Sequence, residues 1–160
     1  MKEYIKYIRS MVGHKEIMAV AVCVFLINEK EELLLETRSD NGFLSIPGGA
    51  LDMGEKVKDG ALRELKEETG IILDDLKFVA VLSGEESRMV YPNDDVTYYT
   101  DVCFFARVNS DIEIKPLDNE SKEIKFYKLD EIPFDKLLRL NQRLLTIYLK
   151  TKFQGEPYID

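Results

Sequence analysis

The sequence predicts an α/β fold, a mixed β-sheet with helices packed on its faces. Three observations predict it: Val- and Ile-rich runs recur along the chain, three stretches repeat apolar residues at helical spacing, and the two kinds of segment mix without regular alternation. The missing alternation disfavours a doubly wound parallel sheet. With 160 residues, 45% apolar and 32% charged, the chain can bury one sizeable core without disulfide or metal staples. No repeat or Pro/Gly-rich linker divides it, so residues 1–160 read as one domain.

Taken in order, residues 3–12 carry Tyr4, Ile5, Ile8, Met11 and Val12 at helical spacing and stop at Gly13, which predicts an N-terminal helix within 1–14. Ile17 to Ile27 is a nearly unbroken apolar run that suits a strand buried on both faces. The polar stretch Asn28 to Glu32 reads as a turn into a second strand, Leu33 to Thr37. Asn41-Gly42 and Pro47-Gly48-Gly49 then punctuate a short apolar piece. Val57 to Thr69 is the clearest helix, with Leu62, Leu65 and Thr69 assigned to one face and Gly70 as its stop. Further strands are expected at 76–83, at 96–108, which is rich in Tyr, Val and Phe, and from Glu123 to Leu129. Pro133 precedes a Leu-rich helical pattern from about 134 to 150, and the polar tail 151–160 receives no element.

Lys and Arg number 22 against 30 Asp and Glu, a formal charge of 22 − 30 = −8. That surplus disfavours DNA, RNA or an anionic membrane gripped through a general basic surface, and leaves divalent cations open. Lys2, Glu3, Lys6 and Arg9 interrupt the first ten residues, so no apolar run of a secretory signal stands there. Ile17 to Ile27 is about half the length that spans a bilayer, and a cytoplasmic protein is expected. Cys23 and Cys103 sit in apolar segments and read as buried reduced thiols.

The chemistry concentrates between Gly49 and Ile71. At about 100 degrees per residue, Glu64, Glu67 and Glu68 share one stripe of the helix, nearly opposite Leu62 and Thr69. Like charges at these spacings repel, and Lys66 lies off the stripe. Three neighbouring features argue against an ordinary solvated face. Gly48, Gly49 and Gly54 let the preceding loop turn its carbonyls toward a ligand, Glu55 stands at the helix start, and Arg63 has a fork of donors that holds carboxylates. Clustered hard oxygens suit Mg2+ or Mn2+, with remaining positions for water and phosphate oxygens.

Gly49, five residues, Glu55, seven residues and then Arg63-Glu64-Leu65-x-Glu67-Glu68-x-Gly70-Ile71 resemble the Nudix box at every specified position. A chance match in a chain of this length has a probability on the order of one in ten million. The resemblance implies a Nudix-type α/β/α sandwich around a mixed β-sheet, with the box as loop, helix and loop. It also implies hydrolysis of a nucleoside diphosphate linked to another moiety, using divalent cations. Residue by residue, it makes Glu67 and Glu68 the principal metal ligands, Gly49 a backbone ligand, and Glu64 a further ligand or the group that deprotonates water. Glu55 and Arg63 would organise the cluster, with Glu55 also counted among the metal ligands. A further acid from a loop outside the box is expected, and Glu120 is favoured over Glu123, Glu85 and Glu86.

Substrate selection in such enzymes is set outside the box. Ser83 to Tyr99 looks like a loop feeding a strand, where Tyr91 or Tyr98 would stack on a base and Arg88 would bind a phosphate or ribose edge. Tyr98 and Tyr99 also read as ordinary strand residues. Phe43-Leu44-Ser45-Ile46 stands where related enzymes often carry a Trp, and Phe43 is expected in the core. The leading expectation is a pyrophosphohydrolase for ADP-ribose or a nucleotide sugar. The alternative is a MutT-like (d)NTP pyrophosphohydrolase, and the intact box disfavours a non-catalytic nucleotide sensor. The nucleotide is the expected partner, and residues 3–12 can pack on their own domain or on a second copy to form a homodimer.

Overall fold

The computed structural model describes residues 3–117 and 121–160. Its centre is β1 (Ile17–Asn28), whose apolar residues alternate between two faces. Val22, Val24 and Leu26 pack on one side with Ala61, Leu65 and Ile71, while Cys23, Phe25 and Ile27 pack on the other with Leu144, Leu145 and Tyr148. A strand covered on both sides has no polar face, which is why its sequence is an unbroken apolar run.

The remaining elements are α1 (Glu3–Val12), β2 (Glu32–Arg38), β3 (Leu44–Ser45), β4 (Gly48–Ala50), α2 (Val57–Thr69), β5 (Lys77–Leu82), β6 (Arg88–Val90), β7 (Val96–Val108), β8 (Ser121–Lys128), α3 (Arg139–Thr151) and β9 (Tyr158–Ile159). They build a nine-stranded sheet whose path runs β3-β2-β1-β7-β5-β9, with β4 beside β1, β6 beside β7 and β8 beside β2. β1 and β7 run parallel from Ile17↔Thr97 to Asn28↔Val108, and their other main neighbours are antiparallel, so the sheet is mixed. α2 covers one face and α3 the other, giving three layers, α/β/α.

Two boundaries differ from the sequence reading. α3 begins at Arg139 rather than near 134, because Leu137 bridges to Leu44 and the Leu138 N–H donates to the Leu44 carbonyl (3.1 Å). Backbone groups engaged with β3 are withdrawn from the helix. In the tail, Tyr158 and Ile159 extend the sheet beside β5, and the Asp160 carboxylate accepts from the Ser83 N–H. A two-residue edge strand carries no periodicity of its own.

Leu65 is fully buried beneath α2. Leu65→Ala is expected to cost about 2–5 kcal/mol of stability, read as a lower midpoint in urea unfolding.

Candidate active site

The loop from β4 to α2 returns along the helix so that Glu55 meets Arg63. Arg63 Nε donates to Glu55 Oε1 (2.6 Å) and Nη2 to Glu55 Oε2 (2.8 Å), a bidentate pair. Glu55 Oε2 also accepts the Asp52 N–H (3.1 Å), which closes the loop onto itself. The remaining Arg63 nitrogen, Nη1, donates to Glu64 Oε1 (2.9 Å) and to Glu67 Oε2 (3.1 Å). Hydrogen bonds donated to Glu55 above all, and then to Glu64, hold the guanidinium proton more tightly than usual against the cost of burial.

Glu64 and Glu68 are buried, 3% and 4% exposed, and Glu67 is half-buried. The sequence sets the acids opposite Leu62 and Thr69, yet Glu64, Glu68 and Thr69 are all buried with Leu65. A helix lodged between a sheet and a loop is covered on more than one side. The Gly48 N–H donates to Glu68 Oε2 at 2.7 Å. A Cβ added at Gly49 would lie 2.7 Å from Glu64 Oε1, so only glycine lets the loop backbone approach that carboxylate. α2 then ends at Gly70, in the left-handed conformation with φ 75° and its N–H on the Lys66 carbonyl.

This acidic stripe opens into a cavity of about 910 Å³. Glu64, Glu67, Glu68 and Gly48 to Ala50 form one end, while Arg38, Asp40, Phe43, Tyr91, Tyr99, Asp101 and Leu137 to Gln142 line other parts. Phe43 is not in the core. It is 42% exposed and lines the cavity from the turn between β2 and β3, where its carbonyl accepts the Arg38 N–H (2.9 Å). α1 is tied to the wall by Arg9, which donates to the Val96 carbonyl (2.7 Å) and Thr97 Oγ1 (3.0 Å). Arg9 also pairs with Asp95 (3.5 Å), whose other contacts include His14 Nδ1 (2.8 Å).

Of the sequence candidates, Gly49, Glu55, Arg63, Glu64, Glu67 and Glu68 come together here. Arg88 and Tyr91 line the cavity, with Arg88 donating to Glu16 (3.4 Å) and Tyr91 sharing a hydroxyl bond with Tyr99 (2.7 Å). Tyr98 lies in β7, with the Arg88 guanidinium 5.9 Å from its ring centre. Glu86 also reaches the cavity, Glu85 is exposed, and Glu123 is exposed on β8 and paired with Lys125 (2.8 Å). Glu120 lies outside the described residues.

The oxygens of Glu64, Glu67, Glu68 and the Gly48–Ala50 backbone fit a hard divalent cation. Among the described residues, no three His, Cys, Asp or Glu side chains form a ready cage for a metal. A cation such as Mg2+ commonly takes only one or two carboxylates and completes its shell with water and phosphate.

Asp101 and Asn141 escaped the sequence reading. Asn141 accepts the Ile46 N–H (3.1 Å) and so sets α3 against the loop before β4. Asp101 is 5% exposed in the cavity wall. Its signal was a lone acid inside the Tyr/Val/Phe-rich run 96–108. Burial pushes its carboxyl up to about 7, against the attraction of Arg143. Between its ordinary value of 3.8 and about 7, the folded protein keeps a proton that the unfolded chain has lost. Stability therefore falls as pH rises through that window and levels off above it. Asp101→Asn is expected to raise the unfolding free energy at pH 8 by a few kcal/mol, with the gain closing below about pH 4, as chemical denaturation at the two pH values will read.

The model of the NUDIX domain matches residues 18–149. The ADP-ribose pyrophosphatase of Methanocaldococcus jannaschii is 30% identical over 158 residues, 94% of this chain and 88% of that protein. Nudix hydrolase 6 of Arabidopsis thaliana is 31% identical over 141 residues, 82% of this chain but 47% of the plant protein, so the chain spans about half that relative's length. Among solved structures, the MutT protein of Methanosarcina mazei Go1 superposes with a TM-score of 0.68 at 24% identity, covering 86% of this chain and 99% of that one, a likeness of fold.

Proposed function

Since the chain belongs to the Nudix family, we propose that it is a divalent-metal-dependent pyrophosphohydrolase that cleaves a nucleoside diphosphate linked to a sugar, of the ADP-ribose type. One observation carries this reading: an arginine-ordered stripe of carboxylates forms one end of a cavity large enough for a nucleoside diphosphate. The archaeal relative named for ADP-ribose cleavage, matched over nearly its whole length, points the same way.

When bound, Mg2+ or Mn2+ neutralises the diphosphate charge and lowers the pKa of water near the scissile anhydride. Glu67 and Glu68 would hold it, together with the Gly49 carbonyl. Glu64 holds the attacking water and takes its proton, and Arg63 keeps Glu64 aimed through the Nη1 bond. Glu55 is assigned to Arg63 rather than to the cation, because both of its oxygens accept from the guanidinium. Arg88, Tyr91 and the apolar wall hold the part of the substrate remote from the anhydride. Glu120 remains the proposed acid from outside the box. The proposed partner is a nucleotide, and the formal charge of −8 argues against a DNA or RNA backbone gripped through a general basic surface. None of the described helices is long and apolar enough to cross a membrane, and we place the protein in the cytoplasm.

The test is a panel of ADP-ribose, nucleotide sugars, dinucleoside polyphosphates and (d)NTPs with Mg2+ or Mn2+, with phosphate read after phosphatase treatment. Cleavage of ADP-ribose or a nucleotide sugar is expected, and cleavage of (d)NTPs alone would overturn the substrate assignment. Glu67→Gln is expected to lower kcat by about 10²–10⁴ with the melting temperature little changed, because the lost carboxylate charge belongs to transition-state stabilisation. Unchanged turnover would remove Glu67 from the ligand set.

A further inference from the structure

Asp101 is a buried acid of the cavity that the proposed hydrolysis does not use. It stands in register with Ala21 of β1, and Ala21 pairs in turn with Ala50 beside the acidic loop. Two strand spacings, about 10 Å, therefore separate Asp101 from that loop, a distance comparable to the length of a nucleoside. Its side chain shares the α3 face with Cys103, two residues along the strand.

Other buried acids in this protein have donors. Glu36 accepts from the hydroxyls of Ser45 (2.6 Å) and Ser121, and Glu68 accepts from the Gly48 N–H (2.7 Å). Asp101 has none: among the described residues no group donates a hydrogen bond to its carboxylate, although it is only 5% exposed. Tyr91 and Tyr99, in the same wall, bond to each other, and Arg143 donates to the Ser83 carbonyl (3.1 Å) and to Asp160. A buried carboxyl without a donor is costly, and Asp101 faces the cavity that takes the substrate.

We propose that Asp101 is a specificity-determining residue, accepting N–H or O–H donors from the non-phosphate part of the substrate. This rests on the pyrophosphohydrolase reading above. A nucleobase amine and a ribose diol both offer such donors, and Asp101 would reject analogues that lack them, since its acceptors would stay unpaired.

Steady-state kinetics at pH 8, where the carboxyl is ionised, with Mg2+ on wild-type protein and Asp101→Asn decide the matter, with four substrates. These are ADP-ribose, IDP-ribose (no base amine), 2′-deoxy-ADP-ribose (no nucleoside diol) and ADP methyl ester (no terminal sugar). Asp101→Asn is expected to raise KM for ADP-ribose about tenfold to a hundredfold while kcat stays within about threefold. The effect should shrink for the one analogue that lacks the recognised donor, which identifies its source. Unchanged KM on every substrate would overturn the proposal, as would an equal loss on all four. Asp101→Ala is the second variant should the Asn protein fail to fold.

If the wild-type protein cleaves only (d)NTPs, the ADP-ribose reading fails, and the KM of Asp101→Asn on the (d)NTP still decides the role of Asp101. If it cleaves nothing, calorimetric titration of intact ADP-ribose decides: about tenfold weaker binding to the variant upholds the proposal, and equal binding ends it.

Discussion

Arg63 is the constraint on which the site depends. Two carboxylates of α2 are buried within one helical turn, and buried negative charge persists only where donors or cations answer it. Arg63 answers Glu64 and Glu67 with one nitrogen and grips Glu55 with the other two. The loop must therefore come back over the helix far enough to deliver Glu55, and the Asp52–Glu55 bond closes it there. A lysine has a single point of charge and cannot make both contacts with the same planarity.

The sheet gives that arrangement a floor. β4 is paired to β1 at Cys23↔Gly48, Val22↔Gly49 and Ala21↔Ala50, so the loop begins from a fixed register. Opposite it, Asn141 binds the Ile46 N–H and brings α3 to the same entrance. The cavity is thus held by backbone pairing on one side and by a side-chain tether on the other. Two of its acidic regions differ in kind: the carboxylates on α2 are supplied with donors, whereas Asp101 is left for the ligand to satisfy.

Elements with a period of their own were legible before the structure. The stripe of Glu64, Glu67 and Glu68, the Gly70 stop, the long strands β1 and β7 and the first helix follow from spacing alone. Short pieces were not, because β3, β4, β6 and β9 are two or three residues long and exist only through their partners. The start of α3 was misplaced for the same reason, since Leu137 and Leu138 choose pairing with Leu44 over helix. Phe43 is hydrophobic, and only the turn that carries it shows that it faces the cavity.

The sequence by itself determined the layered α/β class and the box, with Gly49, Glu55, Arg63, Glu64, Glu67 and Glu68 in their spacing, because helical geometry converts spacing directly into a shared face. Tertiary structure decided that Glu64 and Glu68 of this face are buried, that Glu55 pairs with Arg63, and that Asp101 lies in the wall of the same cavity. Those facts depend on contacts between residues distant in the chain, as between β1, β4 and β7, and no local pattern encodes which strand lies beside which.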